Sequence, residues 1–134
     1  MNLLDKDLIG TIGTQKYLCS IHWRNGTFIM DEPERIEGQD LGPDPYTTLL
    51  AALAGCTLST LRMYIDRKGW DIPEISVRLN MHQETETELT TIFRRDITFS
   101  NAISVEQKER LLLIASKCPV SKILENKVKI NSTI

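Results

Sequence analysis

The segment PYTTLLAALAGCTLSTLRMYIDRKG, Pro45 to Gly69, constrains this chain more than any other, because both of its ends carry helix signals. Asp44 is a preferred N-cap, its carboxylate able to accept from the free amides of a first turn. Pro45 then falls at the first helical position, where no amide is missed. Arg67 and Lys68 place cations at the negative pole, and Gly69 suits the left-handed residue that closes a helix. Between these ends Leu49, Ala52, Leu53, Cys56, Ser59, Thr60 and Met63 share one face, while Leu50, Ala54, Leu58, Leu61 and Ile65 make the opposite face apolar too. Such a helix is expected to be buried nearly all round. At roughly 1.5 Å per residue it is a rod of about 36 Å, long for a domain of this size to wrap alone, which points to a dimer.

The chain has 134 residues, 41% hydrophobic and 25% charged, enough for one domain spanning 1–134 with its own core. A net charge of −2 gives no footprint for nucleic acid or an anionic membrane, and neither partner is expected. MNLLDKDLIG lacks the basic segment and apolar run of a secretory signal, so the expected location is cytoplasmic. The three cysteines, Cys19, Cys56 and Cys118, include no short-spaced pair, which argues against both a disulfide framework and a zinc knuckle. Metal binding by Cys19, His22, His82 and a further cysteine has no short ligand spacing behind it, and no metal or cofactor is expected.

Around the long helix the chain alternates between strand and helix patterns. Lys16 to Arg24 reads as a strand with Tyr17, Cys19, Ile21 and Trp23 on one side, Asn25-Gly26 as a hairpin turn, and Thr27 to Met30 as the return strand. Leu8 to Ile12 suggests an earlier strand. Asp31 to Asp44, acidic and rich in Gly and Pro, reads as a loop: a solvated connector in the plain reading, a lid or substrate rim in the functional one. Ile75 to His82 and Leu89 to Phe99 alternate as the two strands of an antiparallel hairpin. The period of two sets Arg95 among Phe93, Ile97 and Phe99, where it either snorkels past the core edge or meets a buried anion such as a thiolate. Ser104 and Gln107 form a capping-box pattern ahead of an amphipathic helix, expected to end at Cys118 because Pro119 disfavours a helical conformation before it. Pro119 opens a short second helix through Leu124, and Lys127 to Ile130 is a candidate final strand.

That arrangement places Cys118 at or near a helix N-terminus, where free amides favour a thiolate, with Lys117 and Lys122 adding positive charge. Cys56 sits mid-helix with its local amides committed, so activating it needs an outside cation. Taken singly, each cysteine also fits a packing role.

AALAGC in mid-helix together with the distant KCPVSKIL resembles the OsmC/Ohr family, the osmotically inducible protein C and organic hydroperoxide resistance proteins. The resemblance runs through DEP, GPDPY, LLAALAGCT, LRMYIDRKGW, ISVRL, RRDITF and ASKCPVSKIL. It implies an α+β, OsmC-like fold in which antiparallel sheets wrap long central helices in an intertwined homodimer. It also implies a thiol peroxidase in which Cys56 attacks an organic hydroperoxide, Cys118 resolves the sulfenic acid as a disulfide, and an external dithiol reductant reopens it. Tyr46, Leu49, Leu53 and Met63 are the apolar candidates for the substrate path. Where hydroperoxide-resistance members carry a glutamate ten residues before the first cysteine this chain has Tyr46, and in place of their arginine it has Gly13-Thr14-Gln15-Lys16. Lys16, Arg24 and Arg95 are therefore the candidate cations for Cys56. The alternative function is a weakly redox-active or non-catalytic dimer that binds a small apolar metabolite.

Overall fold

The computed structural model describes all 134 residues. They form two compact units, Met1–Leu49 and Leu50–Ile134.

The first unit is a three-stranded antiparallel sheet in the order β1 (Ile9–Ile12), β2 (Cys19–Trp23), β3 (Gly26–Met30). The β2–β3 hairpin is present, but its turn lies one residue earlier than Asn25-Gly26. Trp23 pairs with Gly26, so Arg24 and Asn25 are the loop residues, and neither has positive φ. Gly26 packs under the Trp23 indole instead: a Cβ there would lie 3.1 Å from the indole nitrogen, close enough that the ring would have to shift by a few tenths of an ångström. The loop after β3 is organised on one carboxylate. Asp31, 2% exposed, accepts from the amides of Tyr17 (3.3 Å), Glu32 (2.8 Å), Gln39 (3.3 Å) and Leu41 (3.2 Å). Burial pushes its pKa up, but these four amides outweigh it and hold the carboxyl below its ordinary 3.8. A 3₁₀ turn at Glu34–Ile36 sits inside the loop, and Gly38 packs so closely on the Glu32 carbonyl that no side chain fits there.

The long helix α1 (Pro45–Lys68) runs from the end of the first unit into the second, and both predicted ends are found. Asp44 Oδ1 accepts from the Thr47 amide at 2.7 Å. Gly69, at φ 68°, donates to Asp66 while Trp70 donates to the Ile65 carbonyl, a Schellman closure. The burial differs from expectation. Within one chain a single stripe is covered, Leu53, Thr57, Leu61, Tyr64 and Ile65, whereas Tyr46, Leu49 and Met63 are exposed. The helix is long and apolar enough to cross a membrane by length and composition, but the covered stripe packs on protein.

The remainder of the second unit is a two-stranded antiparallel sheet, β4 (Ile75–Thr85) and β5 (Leu89–Phe99), followed by α2 (Val105–Ala115) and α3 (Pro119–Leu124). β4 runs to Thr85, further than predicted, with Leu79 facing Arg95 across the pair. The core gathers Leu61, Tyr64 and Ile65 of α1 with Ile72, Leu111 and Ala115, and Ile97 and Phe99 pack against it from β5. Burying each of these large aliphatic side chains contributes about 1.5–3 kcal/mol. Arg62 fastens α1 to the turn that follows it by donating to the carbonyls of Ile72 (2.8 Å) and Pro73 (3.1 Å). The Ser104–Gln107 capping box opens α2 with both reciprocal bonds made. α2 stops at Ala115 rather than Cys118, because the amides of Lys117 and Cys118 turn back to Ile114 and Ala115, three residues behind. Cys118 leaves that tightened turn in an extended conformation and becomes the N-cap of α3. The final strand expected at 127–130 does not form: no sheet edge of this chain pairs with it, and Val128 and Ile130 are exposed.

Candidate active site

Three elements of the second unit meet at two sulfurs. α1 brings Cys56 and Thr57, β5 brings Arg95 on its inward face, and the α2–α3 junction brings Cys118, Val120 and Ser121. Cys118 is 0% exposed, whereas Cys56 is half-buried. Cys56 Sγ accepts from the amide of Val120, two residues past Cys118, and the Cys56 thiol is among the groups that lower the Cys118 pKa, so residues sixty-two positions apart in sequence come together; both are free thiols.

The donors differ between the two. Cys118 Sγ accepts from the Ser121 amide at 3.4 Å and lies 2.9 Å from the Ser121 hydroxyl. Arg95 Nη1 lies 3.9 Å from the same sulfur. Burial pushes the Cys118 thiol up, but the side chain and amide of Ser121, then Cys56 and Thr57, outweigh it and bring its pKa below the ordinary 9.0. Cys56 Sγ receives one backbone bond, from the Val120 amide at 3.4 Å. Of the expected cations, Arg95 is therefore the one found at the thiol pair, and it meets Cys118, the anion-facing alternative rather than the snorkelling one. Lys16 pairs with Glu37 at 3.6 Å and Arg24 lies over the Trp23 ring. Lys117 and Lys122 are not among the groups bonded to Cys118.

Thr57 and Ser121 carry the network and were not singled out from the sequence. Arg95 Nη1 donates to Thr57 Oγ1 at 2.9 Å and to Ser121 Oγ at 2.8 Å. Thr57 Oγ1 in turn donates to the Leu53 carbonyl at 2.7 Å. Their positions do hold a signal: Thr57 is a polar residue four from both Leu53 and Leu61 in the buried stripe, and Ser121 is the third residue after the Cys118 cap. Cys19 stands in β2 opposite Met30, its thiol directed to the Tyr17 carbonyl.

Two clefts share Arg95. One, of about 240 Å³, is lined by Leu53, Phe93, Arg95, Ser121 and Leu124. The other, of about 540 Å³, runs between β5 and α2 over Ile97, Phe99, Ile103 and Leu111. Of the residues expected along a substrate path, Leu53 stands on such a wall.

Solved structures share this architecture at low identity. A Psychrobacter arcticus protein, provisionally described as an osmotic stress induced and detoxification response protein, is 20% identical with a TM-score of 0.73, over 87% of this chain and 85% of that one. The OsmC like protein of Mycoplasma pneumoniae is 20% identical, TM-score 0.68, over 91% and 89%. The organic hydroperoxide resistance protein OhrB of Bacillus subtilis is 17% identical, TM-score 0.63, over 91% of each. A comparison with curated protein sequences returns no match. The profile of the OsmC-like proteins matches residues 38–133, spanning α1, the β4–β5 hairpin and both cysteines of the site. On that match, and with the fold to accompany it, this chain belongs to the OsmC-like protein family.

Proposed function

We propose that the protein is a cysteine-based thiol peroxidase that reduces organic hydroperoxides through Cys56 and Cys118. The observation that carries this reading is the meeting of the two thiols beside a guanidinium. Cys56, the more open sulfur, attacks the distal oxygen of the hydroperoxide as a thiolate; the O–O bond breaks, an alcohol leaves with a proton, and Cys56 becomes a sulfenic acid. The Cys118 thiolate then attacks the Cys56 sulfur, the S–O bond breaks, and the leaving hydroxide takes a proton from solvent and departs as water. A dithiol supplies two electrons to reopen the resulting disulfide.

The family membership and the apolar residues at the two clefts support an organic rather than an inorganic peroxide. The exposed apolar side chains of α1 support a homodimer in which 1–134 acts as one domain, and free thiols suit a reducing cytoplasm. The purified protein is expected to consume cumene or tert-butyl hydroperoxide with a dithiol reductant, and Cys56→Ser to lower that turnover by at least about a hundredfold. Unchanged turnover in Cys56→Ser removes the reading. The cleft between β5 and α2 favours one alternative, binding of a small apolar metabolite; a co-purifying ligand together with absent peroxidase turnover would select it.

A further inference from the structure

Arginine offers only donors, and that fixes the direction of the protons around it. Arg95 Nη1 donates to Ser121 Oγ at 2.8 Å, so the one hydroxyl proton of Ser121 must point elsewhere, and Cys118 Sγ is 2.9 Å away. Thr57 is committed in the same manner: it receives from Arg95 and spends its proton on the Leu53 carbonyl. Cys118 Sγ thus stands at the receiving end of the Ser121 hydroxyl and the Ser121 amide, with the positive charge of the guanidinium 3.9 Å away. A sulfur held by donors takes negative charge readily when a bond to it breaks. Solvent reaches Cys56 and does not reach Cys118.

In exchange between a thiolate and a disulfide, the sulfur that is accessible is attacked and the sulfur that better bears charge leaves. We propose that Arg95 is a catalytic residue of the reductive half-cycle, making Cys118 the leaving sulfur of the Cys56–Cys118 disulfide and so directing the incoming dithiol to Cys56. The inference rests on the disulfide of the proposed function but not on a hydroperoxide as its oxidant. One thiolate of the dithiol attacks Cys56 Sγ and forms a mixed disulfide. The Cys56–Cys118 bond breaks, and its electron pair stays on Cys118 Sγ as a thiolate facing Arg95 and Ser121. The second thiol of the reductant, losing its proton to solvent, attacks the reductant sulfur bound to Cys56; the Cys56 thiolate is released and the reductant leaves as a cyclic disulfide. Two electrons pass from the dithiol to the protein.

The full-length protein oxidised with diamide provides the disulfide without any peroxide. Its reduction by dithiothreitol, followed by stopped thiol alkylation, is expected to slow about tenfold in Arg95→Met and to recover in part in Arg95→Lys. The pH at which the Cys118 thiolate absorbs in the ultraviolet, followed with Cys19 and Cys56 changed to Ser, should move up in Arg95→Met, a change that loosened packing alone would not give. Glutathione, a monothiol that cannot cyclise off the mixed disulfide, should be found by mass spectrometry on Cys56 when supplied in stoichiometric amount. Equal reduction rates in Arg95→Met and the parent, or glutathione on Cys118, would overturn the proposal. If Arg95→Met does not fold, Ser121→Ala and Arg95→Lys carry the same comparison, with slower reduction expected in both. Failure of diamide to close the disulfide overturns the proposal outright, whereas closure by diamide but not by cumene hydroperoxide sinks only the peroxidase reading.

Discussion

Ser121 makes two bonds to one sulfur, from its amide and its hydroxyl, and a third to Arg95. Ser121→Ala keeps the amide and removes the hydroxyl donor, so the Cys118 thiol should titrate closer to its ordinary 9.0. The sign is fixed by the direction of the shift. In the parent protein the thiolate persists as pH falls below 9.0 until the lowered pKa is crossed; in the variant it is lost at higher pH, so the ultraviolet thiolate absorbance of Cys118, followed with Cys19 and Cys56 changed to Ser, should appear at a higher pH than in the parent background. Asp31 obeys the same arithmetic at a lower pH. Its carboxylate stabilises the loop above its ordinary 3.8, and that contribution is lost as pH falls through the lowered value. Asp31→Asn should therefore raise hydrogen exchange at the Gln39 and Leu41 amides at neutral pH, where the parent protects them. At this scale the sequence placed Cys118 at a helix cap and Arg95 on the inward face of its strand, because caps and the period of two are local rules; the pairing of Cys56 with Cys118 came only through the family resemblance. The sequence did not reveal Asp31, whose donors come from Tyr17 as well as from the loop, since nothing local says which carboxylate a loop will close upon.

The two ends of α1 show what local rules can settle. Asp44, Pro45 and Gly69 each fit their position by backbone chemistry alone, and each was found there. A Cβ at Gly69 would meet nothing within 4 Å, so Gly69→Ala tests the backbone in isolation. At φ 68° it should cost roughly 1–2 kcal/mol, read as a lower denaturation midpoint with an unchanged slope. The other misreadings were also of elements. The hairpin turn lies one residue earlier, with Trp23 paired to Gly26 and the indole packed close over that glycine. α2 ended three residues early because its last turn tightened, a choice the chain made ahead of the proline rather than at it. A strand at 127–130 had the right side chains but pairs with no strand of this chain.

The molecule as a whole leaves more apolar surface uncovered than its core would suggest, with Tyr46 70% and Met63 67% exposed on α1. Periodicity announced that α1 is apolar on opposite faces; which face the chain covers by itself depends on packing partners distant in sequence and was not legible. In the proposed homodimer these side chains are covered by the second copy, and Met63→Asp should weaken association at least tenfold, seen as monomer by analytical ultracentrifugation at micromolar concentration. A parent protein that stays monomeric there would count against the dimer. The uncovered faces of α1 also bear on how the chain reaches its final state. In that proposed homodimer a freshly made copy would hold one side of its longest helix in water until it met a second, so recovery from denaturant should contain a second-order phase that speeds up with protein concentration; a recovery rate independent of concentration would count against the dimer.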